Sequence, residues 1–290
     1  MKVCGFTIVR NAIKYCYPVV ESIKSILPLC DQMLVVVGKS EDDTLNLIKS
    51  IDSSKIIIVE SVWDDSIKEG GRVLAVETDK ALDAITDEFD WCFYIQADEV
   101  VHEKYHPVIL REMEKRIDQP DVEGLLFNYL HFWGTYDYVG VGREWYRREI
   151  RVIRNNKSIR SYKDAQGFRI NNQRLNVKHI DAYIYHYGWV RPPETIKSKM
   201  RNFNLLYFTG GKLEGKLDKV TNFDYSSVGE VTQFQDTHPK VMEELVNRLN
   251  WHVQFDEKKI NISFKDSVLY WFEKRFGYRL FEYKNYKIIP

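Results

Sequence analysis

The first hundred residues alternate short apolar runs with segments of helical period, and this restricts the fold more than any other property of the chain. Residues 3–9, 33–37, 55–60 (KIIIVE) and 91–95 (WCFYI) are short, apolar and suited to strands buried on both faces. Between them, Val19, Val20, Ile23, Ile26 and Leu27 share one helical face after Pro18, and Pro28 ends the run. Leu45, Ile48 and Ile51 mark a second helix, and Leu74, Ala81, Leu82 and Ile85 mark a third from about residue 70. The order β-α-β-α-β-α-β calls for an α/β fold, with a mostly parallel, Rossmann-like open sheet and helices on both faces.

Beyond residue 105 the pattern loosens. A helix is expected over 106–117, an aromatic strand over 124–133 (GLLFNYLHFW) and a loop over 134–146. Residues 147–154 (RREIRVIR) alternate charge with apolar side chains, as a half-exposed strand does, and 155–176 read as polar and irregular. A strand over 182–189 and a helix opening at Pro192-Pro193 follow, then a loop over 210–231. Short helices over 239–250 and 265–275 make a helical, aromatic C-terminal extension.

Composition excludes several classes. Lys and Arg number 42, as do Asp and Glu, so no overall field recruits nucleic acid. No apolar run is long enough to span a bilayer, and the first residues lack a signal-peptide pattern, so the chain is expected in the cytoplasm. Cys4, Cys16, Cys30 and Cys92 sit among apolar neighbours without paired spacing, which fits reduced, buried thiols better than disulfides or a zinc site. There is no Gly-x-Gly-x-x-Gly after the first strand, no phosphate-binding P-loop and no Gly-x-Ser-x-Gly.

In an open α/β sheet, ligands bind at the carboxyl ends of the strands. Four features can meet there. Thr7, Arg10 and Asn11 end the first strand, where they can contact a base, ribose or phosphate, or cap the turn. Lys39 and Asp42 lie in the turn after the second strand, where carboxylates can accept from a ribose or cap a helix. Gln96-Ala97-Asp98-Glu99 forms an acidic tip, able to hold a divalent cation or to remain solvated loop. Tyr185-His186-Tyr187-Gly188-Trp189 runs into Arg191, Lys197 and Lys199, with His186 either a core residue or a ligand.

The strand ending Val9-Arg10-Asn11, the turn Glu41-Asp42-Asp43 and the buried strand ending Gln96-Ala97-Asp98-Glu99 together resemble a family 2 glycosyltransferase with the A-type nucleotide-sugar-binding fold, like the bacterial members that build lipopolysaccharide or capsule. The resemblance covers roughly residues 2–190 and is most specific at 91–103. It implies a domain over 1–235, with a nucleotide-sugar half (1–105) and an acceptor half (106–235), and an extension over 236–290 docked on it. It implies transfer from a nucleotide-diphosphate sugar to a saccharide or lipid-linked hydroxyl with inversion. Thr7, Arg10, Asn11, Lys39, Asp42, Gln96, Asp98, Arg191 and Lys197 would hold the donor. The family's Asp-x-Asp motif binds Mn or Mg. Here Gln96 stands at its first position and Asp98 at its second, so Asp98 and His186 would ligate the metal, or Arg191, Lys197 and Lys199 would take the diphosphate without one. Asp164 is the first choice of catalytic base, with Glu149 and Glu144 behind it, and Trp133, Tyr136 and Trp145 would meet the acceptor. Gln96 also leaves open a glycan-binding or scaffolding protein on a degenerate transferase fold. The aromatic and basic C-terminal residues fit a membrane face at the inner side of the membrane, a homodimer contact or packing on the domain.

Overall fold

The computed structural model describes residues 1–290 apart from 68, 209, 222–224, 226–228, 254 and 256–263, and apart from the side chains of 69, 210, 219, 221 and 264–266. The first part follows the expected order: β1 (Val3–Val9), α1 (Val19–Ile26), β2 (Gln32–Gly38), α2 (Thr44–Lys49), β3 (Ile56–Ser61), α3 (Arg72–Ala84) and β4 (Trp91–Tyr94). β3, β2, β1 and β4 lie side by side in parallel, with Cys4 opposite Gln32 on one flank and Cys92 on the other. Side chains alternate between two faces. Val3, Val35, Val37, Trp91 and Phe93 pack against Val19, Ile23 and Ile26 of α1 and Ile48 of α2. Cys4, Phe6, Ile8, Leu34, Val36 and Tyr94 meet Ala81 and Leu82 of α3. The fold is therefore α/β, an open sheet with helices on both faces.

The chain continues as β5 (Glu99–Val101), α4 (His106–Lys115), β6 (Gly124–Trp133), β7 (Tyr138–Gly140) and β8 (Arg148–Arg154). Then come β9 (Ile159–Tyr162), β10 (Gly167–Ile170), β11 (Gln173–Arg174), β12 (Asn176–Trp189), α5 (Pro193–Tyr207) and α6 (Gly210–Thr221). β13 (Val231–Gln233), α7 (Glu243–Asn247), α8 (Phe264–Phe276) and β14 (Lys287–Ile288) complete it. β8 inserts between β4 and β6, antiparallel to both, and β6 runs parallel to β12. β14 returns from the C-terminal stretch to pair with the start of β12.

Four expectations are corrected. β8 is not half-exposed: it is an interior strand, and Glu149 and Arg151 are buried, Arg151 because its charge is met by Glu99 across the sheet and Glu149 because burial keeps it protonated. Residues 155–176 are not irregular: β9, β10 and β11 form a separate antiparallel sheet. Its tight turn places Asn171 and Asn172 at positive φ, as a two-residue hairpin turn requires. That Asn-Asn pair was the available signal. Residues 210–221 are helix rather than loop, with Leu213, Leu217 and Val220 at helical spacing; 222–224 and 226–228 of the same expected loop lie outside the described residues. Cys4, Cys30 and Cys92 are buried thiols, but Cys16 is exposed. Burial pushes the Cys4 thiol up to about 12.

Candidate functional site

A cleft of about 670 Å³ opens at the carboxyl ends of β1 and β4. Arg10 and Gln96–Asp98 form its sheet-side edge, His186 and Trp189 come from the end of β12, and Lys199 and Tyr207 come from α5. Glu149 and Arg151 of β8 lie at its base. Asp164 faces them from the turn before β10, where Lys163 and Ala165 on either side have φ of 54° and 61°. Non-glycine residues occupy that backbone region only when the surroundings impose it, so the turn holds Asp164 in a defined place.

Asp98 is the centre of one end. Its Oδ2 accepts from Lys199 Nζ at 3.1 Å and lies 3.8 Å from both Arg191 Nη2 and His186 Nε2. Burial alone would raise this carboxyl, but Lys199, His186 and Arg191 outweigh it and hold it well below the usual range. Burial, with Arg191 beside it, pushes Lys199 down to about 7 against the pull of Asp98. Arg191 is fully buried; its Nε donates to the Tyr15 carbonyl at 2.5 Å and its Nη1 to that of Gly188, while Nη2 makes no hydrogen bond among the described residues. Gly188 allows this convergence: a Cβ there would stand 2.4 Å from His186 Nε2 and 2.8 Å from Asp98 Oδ2.

Burial pushes His186 down to about 4, so its ring is neutral. Its Nδ1 lies 3.1 Å from His131 Nδ1, and His131 Nε2 lies 2.8 Å from the Tyr146 carbonyl. The carbonyl can only accept, so His131 carries its proton on Nε2 and takes the Nδ1–H of His186. His186 Nε2 then presents a lone pair toward the cleft. His131 was not singled out from sequence; its place opposite His186 arises from the parallel pairing of β6 and β12.

Glu99 does not face a ligand. It is completely buried and takes Arg151 through two bonds of 2.7 and 2.6 Å, the Tyr129 hydroxyl at 2.7 Å and the Gln96 amide at 3.1 Å. Gln96 donates through its side-chain Nε2 to the Ala165 carbonyl at 3.3 Å. Mn and Mg take about six ligands in near-octahedral geometry, several of them waters, and gain affinity from ligand charge. Here Asp98 is the one carboxylate at that end, and it already carries Lys199 and Arg191. Among the described residues no group of three or more His, Cys, Asp or Glu side chains could hold a metal ion. Asp98 and His186 do come together, yet the local charge favours an anion, so the arrangement does not fit the metal site the resemblance implied.

The remaining candidates divide. Arg10 lines the cleft, pairs with Asp65 at 2.8 Å and lies over Trp63 at 4.7 Å. Thr7 is buried within β1. Asn11 accepts from the Glu41 amide at 2.7 Å, and Asp42 accepts from the amides of Lys14 at 2.7 Å and Thr44 at 3.1 Å, so both tie two loops together outside the cleft. Lys39 and Lys197 are exposed and do not line it, nor does Glu144. Trp133 and Tyr136 are core residues: the Trp133 indole donates to the Tyr225 carbonyl at 2.9 Å, and Tyr136 packs on Tyr187. Trp145 stacks on His131, with centroids 5.0 Å apart. None of the three lines the cleft. The aromatic lining includes Tyr17, Trp63, Tyr146, Trp189 and Tyr207 instead. Trp63 follows the carboxyl end of β3, a parallel strand, and that position is the signal for it in the sequence.

Burial pushes Glu149 up to about 8, helped by the charges of Glu99 and Asp164 and opposed by Arg151. The folded protein thus keeps a proton that the unfolded chain releases near pH 4.5. The stability this confers is complete below that pH and is lost as pH rises toward about 8, by up to about 1.4 kcal/mol per unit. Glu149→Gln, neutral throughout, should match the native protein near pH 4.5 and gain on it up to about pH 8 in urea unfolding. Parallel pH profiles for the two proteins would refute the assignment.

No protein-family model matches the chain, and no curated protein matches it. Among solved structures it is similar to residues 1–349 of TarS from S. aureus, at 16% identity and a TM-score of 0.39, over 77% of this chain and 71% of that one. TarS has also been crystallised with UDP. It is similar to glucosyl-3-phosphoglycerate synthase from Mycobacterium tuberculosis in complex with Mn²⁺, UDP and glucosyl-3-phosphoglycerate, at 16% identity and a TM-score of 0.32, over 46% of this chain and 45% of that one. The chain thus spans under half of the second protein. The likeness is one of fold alone.

Proposed function

We propose that the cleft binds a nucleotide-diphosphate sugar and that the chain is a glycosyltransferase, passing the sugar to a hydroxyl of a saccharide or lipid-linked acceptor with inversion. One observation carries this reading: a buried guanidinium, Arg191, and a half-buried ammonium, Lys199, converge on Asp98 at the strand-end edge, and among the described residues one guanidinium nitrogen there makes no hydrogen bond. A diphosphate supplies the acceptor oxygens that such a cluster can hold. As the bond from the anomeric carbon to the diphosphate breaks, its electron pair passes to the leaving oxygen, and Lys199 and Arg191 stabilise that charge. The acceptor oxygen bonds to the anomeric carbon from the opposite face and gives its proton to Asp164, the base on the facing wall. Tyr207 donates to Asp164 at 2.5 Å and orients it. Glu149, neutral at pH 7, serves as a hydrogen-bond donor rather than as the base. Trp63 under Arg10 gives a flat wall for the nucleobase.

Thermal unfolding with a panel of nucleoside diphosphates tests this. A ligand at about a hundredfold over its dissociation constant adds roughly 2.7 kcal/mol. The expected result is stabilisation by one diphosphate that survives EDTA and is unchanged by Mn²⁺. Stabilisation only with Mn²⁺ would return Asp98 and His186 to a metal site. Saccharide binding with no response to any nucleotide would favour the glycan-binding alternative.

A further inference from the structure

The C-terminal residues 271–284 are amphipathic in the inverted sense. Glu273, Arg279 and Glu282 face the protein. Glu273 accepts from Arg143 at 2.7 Å and Arg279 at 2.8 Å, and Glu282 takes Arg147 through bonds of 2.7 and 2.8 Å. Arg279 is 7% exposed and also donates to the Trp145 carbonyl at 3.0 Å. Their large aromatic side chains face outward: Trp271, Phe276, Tyr278 and Tyr283 are each more than half exposed, and Phe281 is 88% exposed. Monomeric proteins scatter single apolar residues over their surfaces but rarely group them. The inward ion pairs hold Phe281 outward by anchoring both of its neighbours, Leu280 through its carbonyl and Glu282 through its carboxylate.

The charges left among the aromatics are positive. Arg275 lies 5.7 Å from the Phe276 ring, and Lys284 lies 5.7 Å from that of Tyr278. Lys274 is 70% exposed, 3.8 Å from Glu230 and 5.9 Å from the Tyr270 ring. Glu273 and Glu282, the acidic residues of the stretch, are taken up by the inward pairs. Tryptophan and tyrosine interleaved with lysine and arginine suit the headgroup level of an anionic bilayer. A second copy of the chain meeting this face about a twofold axis would set Lys274, Arg275 and Lys284 against themselves. We propose that this face docks the protein on an anionic lipid bilayer. Lys163 lies 5.4 Å from the Tyr283 ring and precedes Asp164, so the docked surface borders the cleft wall. The proposal is independent of what the cleft binds.

The test is co-sedimentation of the full chain with vesicles of phosphatidylcholine alone and of phosphatidylcholine mixed with phosphatidylglycerol. Binding to the mixed vesicles is expected, weakening with salt. Trp271→Ser with Phe281→Ser should lower it by about tenfold or more while leaving the melting temperature unchanged. Absence of binding to either vesicle, or equal binding by the double variant, overturns the proposal. So does a concentration-dependent dimer in sedimentation velocity that Phe281→Ser dissociates, because that assigns the face to a second copy.

Discussion

Lys199→Met should lower kcat/KM for transfer by about a hundred- to a thousandfold, the usual effect of removing one preorganised donor to developing negative charge. The fold should survive. Burial already opposes the Lys199 charge and pushes the ammonium down to about 7, so methionine removes a desolvated group at nearly constant volume. Asp98 keeps Arg191 as a partner. The pH dependence separates this role from a structural one. A diphosphate bound to charged Lys199 requires a proton that the free protein loses above about pH 7. Its affinity should fall by up to about tenfold per pH unit above that point, and Lys199→Met should abolish this slope. Full activity in the variant, or diphosphate affinity with an unchanged pH profile, would remove Lys199 from the site.

Arg151→Met should cost about 3–5 kcal/mol, the range for breaking one side of a buried ion pair. Glu99 is completely buried, and Arg151 supplies two of its four hydrogen bonds. Losing Arg151 leaves a carboxylate without compensating charge between β5 and β8. Replacing both, as in Glu99→Leu with Arg151→Met, should cost much less than the sum of the single changes, since no orphaned charge remains. Urea unfolding of the two single variants and the double variant measures this. A loss of only about 1 kcal/mol in Arg151→Met would mean that water reaches Glu99 and that the pair is not a structural pin. The pair also bears on the cleft, because Glu99 accepts from the Gln96 amide and so holds the Gln96–Asp98 turn in place.

The parallel part of the sheet was legible because local periodicity reports local burial. Met33–Val37 and Trp91–Tyr94 are apolar at every position because both of their faces are covered. The same reasoning misread RREIRVIR. Alternating charge usually marks a solvent face, but in β8 Arg151 points to Glu99, and both it and Glu149 line the cleft. Nothing within eight residues of sequence distinguishes water from a buried counter-charge. Trp133, Tyr136 and Trp145 failed as cleft residues for a related reason: their neighbouring glycines pointed to a loop, while most of their contacts come from β12 and beyond residue 220. Arg10, Gln96, Asp98, Glu149, Asp164 and His186 do line one cleft.

What the sequence determined by itself was the α/β order, the strand ends where a cleft opens and the acidic tip carrying Asp98. These depend on chain-local periods of two and 3.6 residues. Only the tertiary structure decided what Asp98 meets. Lys199 stands 101 residues away and reaches it because α5 folds back over the end of β12. Only the tertiary structure decided that Glu99 is locked to Arg151 and that the C-terminal aromatics face outward while Glu273, Arg279 and Glu282 face inward. Charge compensation and exposure are set by partners distant in sequence, and the energy of a buried ion depends on those partners rather than on its neighbours in the chain.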